Sequence, residues 1–235
     1  APYGDCLLPY FLATGMVAAV DRRDRTGEGC RIDGSMFEVL VQQMLPEVVT
    51  QQLTGKPARC RGNADPVAAP HGVFPCQGTE RWIAIEIHTD EQWRCLQSSL
   101  GNPASVADTR FDSREGRKQR EDALESALAN CTRGFDAYEL MSRLQAAGVS
   151  AGVVQFAGDT IDRDPQLRAR GFLQPVDHPL LGAFPHQASP IRLSATPQHV
   201  RPAPRFGEHT RQIGRDVLKL DDATIAELEA QLVLS

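Results

Sequence analysis

The sequence predicts an α/β protein whose helices and strands do not alternate regularly along the chain. Apolar residues recur at helical spacing from Leu7 to Val20 and again from Phe37 to Val49. A β-branched apolar run at residues 82–87 indicates strands in the middle of the chain. The opening helices have too few strands of their own to pack on. We therefore expect a further segment to supply the layer that they cover.

The first helix is predicted over residues 5–24, with Pro9 near its first turn, where proline is tolerated. The glycine-containing stretch at residues 25–29 ends this helix in a turn. A second helix begins near Ser35, and Pro46 is expected to kink it. Both helices therefore precede every predicted strand.

The middle of the chain reads as a loop, a strand hairpin and a capped helix. Residues 53–72 are rich in Gly, Pro and Asn and form the loop. Strands at 73–74 and 82–87 flank a turn. Thr89, with Gln92 three residues later, is a capping box for a helix that ends at Gly101.

The second half of the chain continues with helices, short strands and a closing helix pair. Asp136 is the predicted cap of one helix, and Asp221 or Asp222 is the cap of the last. The predicted helices cover 113–131, 136–147, 207–218 and 221–232, and the predicted strands cover 149–156, 173–178 and 190–194. Joints rich in glycine and proline divide the chain into three parts, 1–58, 59–165 and 166–235, of which the second is a small α/β domain.

Composition excludes several classes of function. Of the 235 residues, 41% are hydrophobic and the net charge is −5 without a basic stripe, so we expect a packed core and no nucleic-acid partner. Polar residues interrupt every long apolar run, so no membrane span is expected. The cysteines and histidines are dispersed, which argues against a metal site and favours reduced thiols in a cytoplasmic protein.

The beginning of the chain carries the most informative motif. Gly4 and Asp5 precede a helix that ends in Arg25-Thr26-Gly27-Glu28-Gly29, and Ser35 then begins the next helix. This pattern resembles the class III CoA-transferase family, also called the carnitine and bile-acid CoA-transferase family. Further short motifs match the family in the same order along the chain, at residues 61–63, 69–74, 82–85, 144–149, 164–167, 170–172, 189–192 and 207–210. The resemblance covers the whole chain but only the second half of a typical member.

The resemblance implies the fold and the chemistry. The fold would be the C-terminal half of the class III fold, with helices and tail of a large Rossmann-like domain beside the small domain. Asp5 would be a carboxylate nucleophile that forms an acyl anhydride and then an aspartyl-CoA thioester. Gly4, Asn63 and His71 would contact substrate. An acyl-CoA thioester and a carboxylic acid would be the substrates, with no permanently bound cofactor and no metal.

Simpler interpretations of the same residues stay open. Asp5 is also a good N-cap residue, and Pro70-His71-Gly72 is also a turn sequence. In oxalate-handling relatives a run of glycines covers the intermediate where this chain has residues 64–69, so that substrate class is not expected.

Two other functions compete with the transferase. The α-methylacyl-CoA racemases share the fold and have an Asp at the position of Asp5. They use this Asp together with a His from the first half of their own sequence to move a proton. A non-catalytic subunit that completes a partner's fold is the third hypothesis. Because the chain begins without Met, we expect upstream sequence, and the family implies an interlocked homodimer or a hetero-oligomer with the N-terminal half.

Overall fold

The computed structural model describes residues 2–234, which form two groups of helices and two small antiparallel sheets. The first helices are α1, α2 and α3, at Tyr3–Thr26, Met36–Gln43 and Leu45–Thr54. A three-stranded sheet and its helices follow, with β1 at His71–Pro75, β2 at Trp82–Glu86, α4 at Asp90–Ser99, α5 at Arg114–Gln119, α6 at Glu121–Thr132, α7 at Ala137–Ala146 and β3 at Ser150–Val153. The rest comprises α8 at Ala157–Asp162, α9 at Pro165–Ala169, β4 at Leu173–His178, β5 at Gly182–Gln187, α10 at Thr210–Asp216 and α11 at Asp222–Ala230.

The first three helices confirm the sequence-based boundaries closely. Gly27 closes α1 with a φ of 75°, a left-handed conformation that glycine adopts without strain. Ser35 caps α2 by accepting a hydrogen bond from the Glu38 amide. Pro46 falls at the start of α3, so the expected kink is a break between two helices. Of these helices, α1 contacts α2 and α2 contacts α3.

The central sheet has the order β1-β2-β3, and both pairs are antiparallel. Its two faces differ because side chains alternate along each strand. One face, with Phe74, Ile83 and Ile85, packs into the hydrophobic core formed with α4, α6 and α7. That core draws its buried residues from positions 74–149 alone. The proposed division at 58 and 165 stays a prediction.

Local capping signals in this region are confirmed. Thr89 and Gln92 form the reciprocal capping box at the start of α4. Asp136 accepts from the amides of Tyr138 and Glu139 at the start of α7. These caps were predictable because they depend only on residues three positions apart.

Two sequence-based expectations are wrong. The helix predicted over 113–131 is two helices, because Arg120 has non-helical torsions and the preceding segment lacks an apolar stripe. Residues 190–194 form no strand, and the strand that pairs with β4 is β5, with Pro175 opposite Pro185. Proline is acceptable there because both strands are edges.

A buried arginine connects the sheet to its helices. Arg117 is fully buried, and its guanidinium donates to the carbonyls of Ala69 and Phe111 at 2.8 and 3.0 Å. It also donates to the Asp90 carboxylate at 2.9 Å and lies 5.3 Å from the Trp93 ring centroid. Burial lowers the pKa of Arg117, but arginine remains charged at neutral pH because its ordinary pKa is so high. This one side chain therefore holds the loop before β1, the turn before α5 and the start of α4 together.

Helices α1 to α3 expose many apolar side chains. Phe37 and Leu53 are 75% and 81% exposed, and Val17 is 71% exposed. By length and composition α1 could cross a membrane, which the sequence-based expectation of no such span did not anticipate. A single helix of this kind is weak evidence for a membrane, because a core helix has the same length and composition. We define the exposed apolar side chains of α1 to α3 as the helical apolar face.

Arg117→Met should destabilise the protein by about 3 kcal/mol, because it leaves the buried carbonyls of Ala69 and Phe111 without donors. Urea unfolding monitored by circular dichroism measures the change. Arg114→Met is the matched control, since Arg114 lies on the same helix but is exposed. The control should change stability by less than about 0.5 kcal/mol. Equal effects of the two substitutions would contradict the role given to Arg117.

Candidate active site

Asp5 lies in the first turn of α1 rather than at its cap. Pro2 is the N-cap residue, and the first intrahelical bond runs from the Cys6 amide to the Pro2 carbonyl at 3.3 Å. The amides of residues 3–5 therefore point out of the helix without an intrahelical acceptor. The Asp5 side chain is exposed, and among the described residues it has no hydrogen-bonding or ionic partner. The interpretation of Asp5 as an N-cap is thus wrong.

Gly4 is buried where α1 contacts α2. A Cβ atom at this position would lie 2.9 Å from Met36 Sδ and 3.1 Å from Leu40 Cδ1. The absence of a side chain therefore permits the close approach of the two helices next to Asp5. Its predicted contact with substrate stays a prediction.

The loop at residues 63–70 is held by its own hydrogen bonds and by α5. The Asp65 carboxylate accepts from the amides of Val67 and Ala68 at 2.7 and 2.8 Å. These amides lower the pKa of Asp65, with smaller contributions from the two nearby histidines. Lys118 donates to the Asp65 carbonyl at 2.7 Å, beside the bond from Arg117 to Ala69. Basic side chains of α5 therefore hold this loop at two points, the carbonyls of Asp65 and Ala69.

The structure brings Asn63 and His71 together. Nδ1 of His71 pairs with the backbone carbonyl of Asn63, and Nε2 of His71 lies 3.9 Å from Oε1 of Glu86. Nε2 of His88 donates to the same Glu86 oxygen at 2.6 Å. Glu86 and His88 were not among the residues expected from the sequence. The alternation of residues 82–87 could have placed Glu86 on the exposed face, but the register that pairs it with His71 is not a local signal.

These side chains stand at one end of a groove on the second face of the central sheet. The groove has a volume of about 420 Å³, and its lining includes Asn63, His71, Val73, Ala84, Glu86 and Gly152. His71 is the register partner of Glu86, and Glu86 is the partner of Ser150. We call this cavity the open-face groove. It has a polar row at one end and small or apolar residues along its floor.

The candidate residues fall into two separate places. Gly4 and Asp5 lie on α1, whereas Asn63 and His71 lie at the open-face groove. Within residues 2–234, no hydrogen bond or ion pair joins the Asp5 side chain to Asn63 or His71. In the same residues, no group of three or more His, Cys, Asp or Glu is arranged to hold a metal ion.

The arginines near the C-terminal end of α1 pair with neighbouring carboxylates. Arg22 pairs with Glu28, and Arg25 pairs with Asp21, each at 2.7 Å. These local pairs agree with the exposed end of a helix.

Comparison with known proteins identifies the family. The sequence model of CoA-transferase family III matches residues 1–210. The chain belongs to CoA-transferase family III. A solved CAIB/BAIF family protein from Brucella suis superposes with a TM-score of 0.78 at 26% identity, over 91% of this chain and 55% of that one. The family III fold expected from the sequence is therefore confirmed.

Two named relatives are similar across most of the sequence. The succinyl-CoA–D-citramalate CoA-transferase of Chloroflexus aurantiacus is 32% identical over 98% of this chain. A Mycobacterium tuberculosis protein named "Probable CoA-transferase Rv1866" is 34% identical over 86% of it. The chain spans 57% of the first relative and 25% of the second.

Asp65→Asn should lower stability at pH 7 and have a smaller effect at about pH 3. Because the folded-state pKa of Asp65 is lowered, its charge stabilises the fold above the unfolded-state pKa of about 3.9. This stabilisation is lost as the pH falls through the folded-state value. Urea midpoints at the two pH values measure the difference, with Asp122→Asn as a control on exposed α6 surface. A destabilisation of equal size at both pH values would contradict this explanation.

Proposed function

We propose that this chain supplies the nucleophile of a CoA-transferase, which moves CoA from an acyl-CoA thioester to a free carboxylic acid. The observation that carries the proposal is the placement of Asp5. Its carboxylate is exposed and unpaired among the described residues, beside three free amides at the start of a 24-residue helix. It also lies in the segment that family III matches.

The first half-reaction transfers CoA to the enzyme. The Asp5 carboxylate attacks the thioester carbonyl carbon, the carbon–sulfur bond breaks, and CoA leaves as a thiolate. The resulting acyl-aspartyl anhydride is attacked at its aspartyl carbonyl by the thiolate. The donor acid then leaves as a carboxylate, and Asp5 is left as a CoA thioester.

The second half-reaction reverses these steps with the acceptor. The acceptor carboxylate attacks the aspartyl thioester and expels the thiolate, which forms a second anhydride. The thiolate then attacks the acyl carbonyl, and the Asp5 carboxylate is regenerated. No proton is consumed overall, and each intermediate keeps the transfer potential of the thioester.

The start of α1 suits this chemistry physically. The positive end of the helix dipole favours the anionic form of Asp5. The free amides of residues 3–5 can donate to an oxyanion as a carbonyl is attacked. Gly4 contributes by allowing α1 to lie close to α2, which holds this first turn in place.

The relatives indicate the class of substrate. The Chloroflexus aurantiacus protein is named for succinyl-CoA and D-citramalate. We take from this name the general class, an acyl-CoA donor and a free carboxylic acid as acceptor. Asn63 and His71 are the residues of this chain that we assign to substrate contact.

We further propose that the helical apolar face is covered in the active enzyme. Side chains such as Phe37 and Val17 are exposed, and the chain spans 57% of its citramalate relative. Covering them with the remaining family III sequence, in an interlocked homodimer or from a partner chain, would bury this apolar surface.

All six cysteines are free thiols, which supports the proposed cytoplasmic location.

Asp5→Asn should reduce acyl transfer on the order of 10³-fold or more, because the substitution removes the nucleophile. The fold should survive, since only about 0.3–1 kcal/mol of interaction with the helix dipole is lost. The assay follows CoA exchange between an acyl-CoA and a free acid in the enzyme with every segment that its activity requires. Hydroxylamine should trap Asp5 only when acyl-CoA is present.

Asp24→Asn is the matched control, because Asp24 is an exposed carboxylate on the same helix. It should retain full activity. The assignment would be overturned if the Asp5→Asn variant keeps most of its activity, or if hydroxylamine labels another residue. The racemase alternative would instead be supported if the enzyme exchanges the α-hydrogen of the substrate, if this exchange requires Asp5, and if neither acyl transfer nor trapping of Asp5 is observed.

Phe37→Glu should weaken assembly of the active enzyme, because it places a charge in an apolar contact. Sedimentation velocity of the parent and the variant measures the change in oligomeric state. Gln51→Glu on α3 introduces the same charge at an exposed polar position and should leave assembly unchanged. An active parent that sediments as a monomer would refute the proposed assembly.

A further inference from the structure

Two motifs singled out in the sequence take no part in the proposed function, and both contribute an arginine to one cavity. The first motif is 170–172 and the second is 189–192. The cavity that they share has a volume of about 380 Å³. We call it the arginine cavity, and its lining includes Arg170, Phe172, Gln174, Arg192, Leu193 and Gln198.

Hydrogen bonds between separate segments of the chain build the arginine cavity. Nη2 of Arg170 donates to the Pro190 carbonyl at 3.0 Å, which joins the first motif to the second. The Ser189 amide donates to Oε1 of Gln198 at 2.7 Å, which joins the second motif to the segment after it. The lining residues are therefore held together by contacts within the chain.

Both guanidinium groups of the cavity carry an unpaired charge. Within residues 2–234, neither Arg170 nor Arg192 forms an ion pair with a carboxylate, and Arg192 makes no hydrogen bond. Nη2 of Arg192 lies 3.7 Å from the position that a Cβ atom of Gly171 would occupy, so this guanidinium lies against the backbone next to Arg170. Arginine stays charged at physiological pH. Two like charges thus share the cavity, and an anion between them would relieve their repulsion.

The other lining residues add a donor and an apolar wall. Because Oε1 of Gln198 accepts from the Ser189 amide, the Nε2 group of Gln198 offers its two N–H donors. Phe172 and Leu193 line the same cavity and offer no hydrogen bond from their side chains. The volume lies in the range of small-molecule sites, about 300–1,000 Å³.

We propose that the arginine cavity binds the phosphate group of a small phosphorylated compound, whose carbon portion lies against Phe172 and Leu193. A phosphate monoester carries about −1.5 to −2 charges at pH 7 and three acceptor oxygens, which match two guanidinium groups and an amide. A single guanidinium already pairs with both oxygens of a carboxylate. The second arginine therefore favours a phosphate ester over a carboxylic acid.

Two kinds of compound offer this phosphate group. One is a free phosphate ester, and the other is CoA, which carries a 3′-phosphate on its ribose and is a substrate in the proposed function. The residues named in the arginine cavity belong neither to α1 nor to the open-face groove. Only the second source depends on the proposed function.

Isothermal titration calorimetry of the enzyme, with every segment that its activity requires, measures the binding. The probes are glycerol 3-phosphate and adenosine 3′-phosphate, with succinate as a dianion without phosphate. At least one ester should bind with a Kd below about 1 mM, and succinate should bind about tenfold more weakly or not at all. Arg192→Gln should weaken ester binding about tenfold or more, the value of one hydrogen bond between charged groups. Arg170→Gln should weaken it as well.

Arg168→Gln is the matched control. Arg168 lies on α9 close to Arg170 and also donates to a backbone carbonyl, that of Asp162. Its substitution removes the same charge and should leave ester binding unchanged. The thermal unfolding midpoint of Arg192→Gln should equal that of the parent, because Arg192 makes no hydrogen bond within residues 2–234.

CoA and 3′-dephospho-CoA distinguish the two sources of the phosphate. If the cavity takes the phosphate of CoA, the parent binds CoA more tightly than 3′-dephospho-CoA, and Arg192→Gln removes this difference. If the cavity takes a free ester, Arg192→Gln weakens ester binding and leaves the difference unchanged. Either result supports a phosphate site.

Three results would refute the phosphate site. The parent binds neither ester, or succinate binds as tightly as the esters, or Arg192→Gln binds the esters as tightly as the parent does. The titrations require no catalysis, so an enzyme that fails to transfer CoA through Asp5 would refute the proposed function and leave ester binding intact.

Discussion

The buried guanidinium of Arg117 is the interaction on which the central sheet and its helices depend. A charged group in a core is tolerated only when its donors are satisfied, and here they are shared among three segments distant in sequence. The Ala69 carbonyl belongs to the loop that leads into β1. Because Lys118 holds the same loop through Asp65, two adjacent basic residues set the position of the strand that carries His71.

Under the proposed function, the residues assigned to substrate contact and the residue assigned to the chemistry lie in separate places. The groups assigned to recognition lie on a sheet whose other face is a packed core, so they move little. Asp5, the proposed nucleophile, lies at the exposed start of α1, where free amides accompany it. The two places lie on different elements of the described chain, so the proposed function requires that the assembled enzyme bring them together.

The sequence predicted features that depend on neighbouring residues. The caps at Thr89 and Asp136 and the end of α1 at Gly27 were found because each needs only a few residues in a fixed pattern. Asp5 was singled out through its motif and its role stays a prediction, whereas its place inside the first turn of α1 was not predicted. The position of β5 and the row of His71, Glu86 and Ser150 were missed, because pairing between strands is set by tertiary contacts that no short pattern contains.

The ribbon of β4 and β5 has a consequence for association with other chains. Pro175 faces Pro185, and neither residue can take part in a pair that exchanges amide hydrogen bonds. Their nitrogen atoms are therefore directed to the two outer edges, where an ordinary residue would offer a donor to an incoming strand. Each edge thus lacks a hydrogen-bond donor at its centre. A two-stranded ribbon that could otherwise nucleate edge-to-edge aggregation is protected on both sides by one facing pair of imino acids.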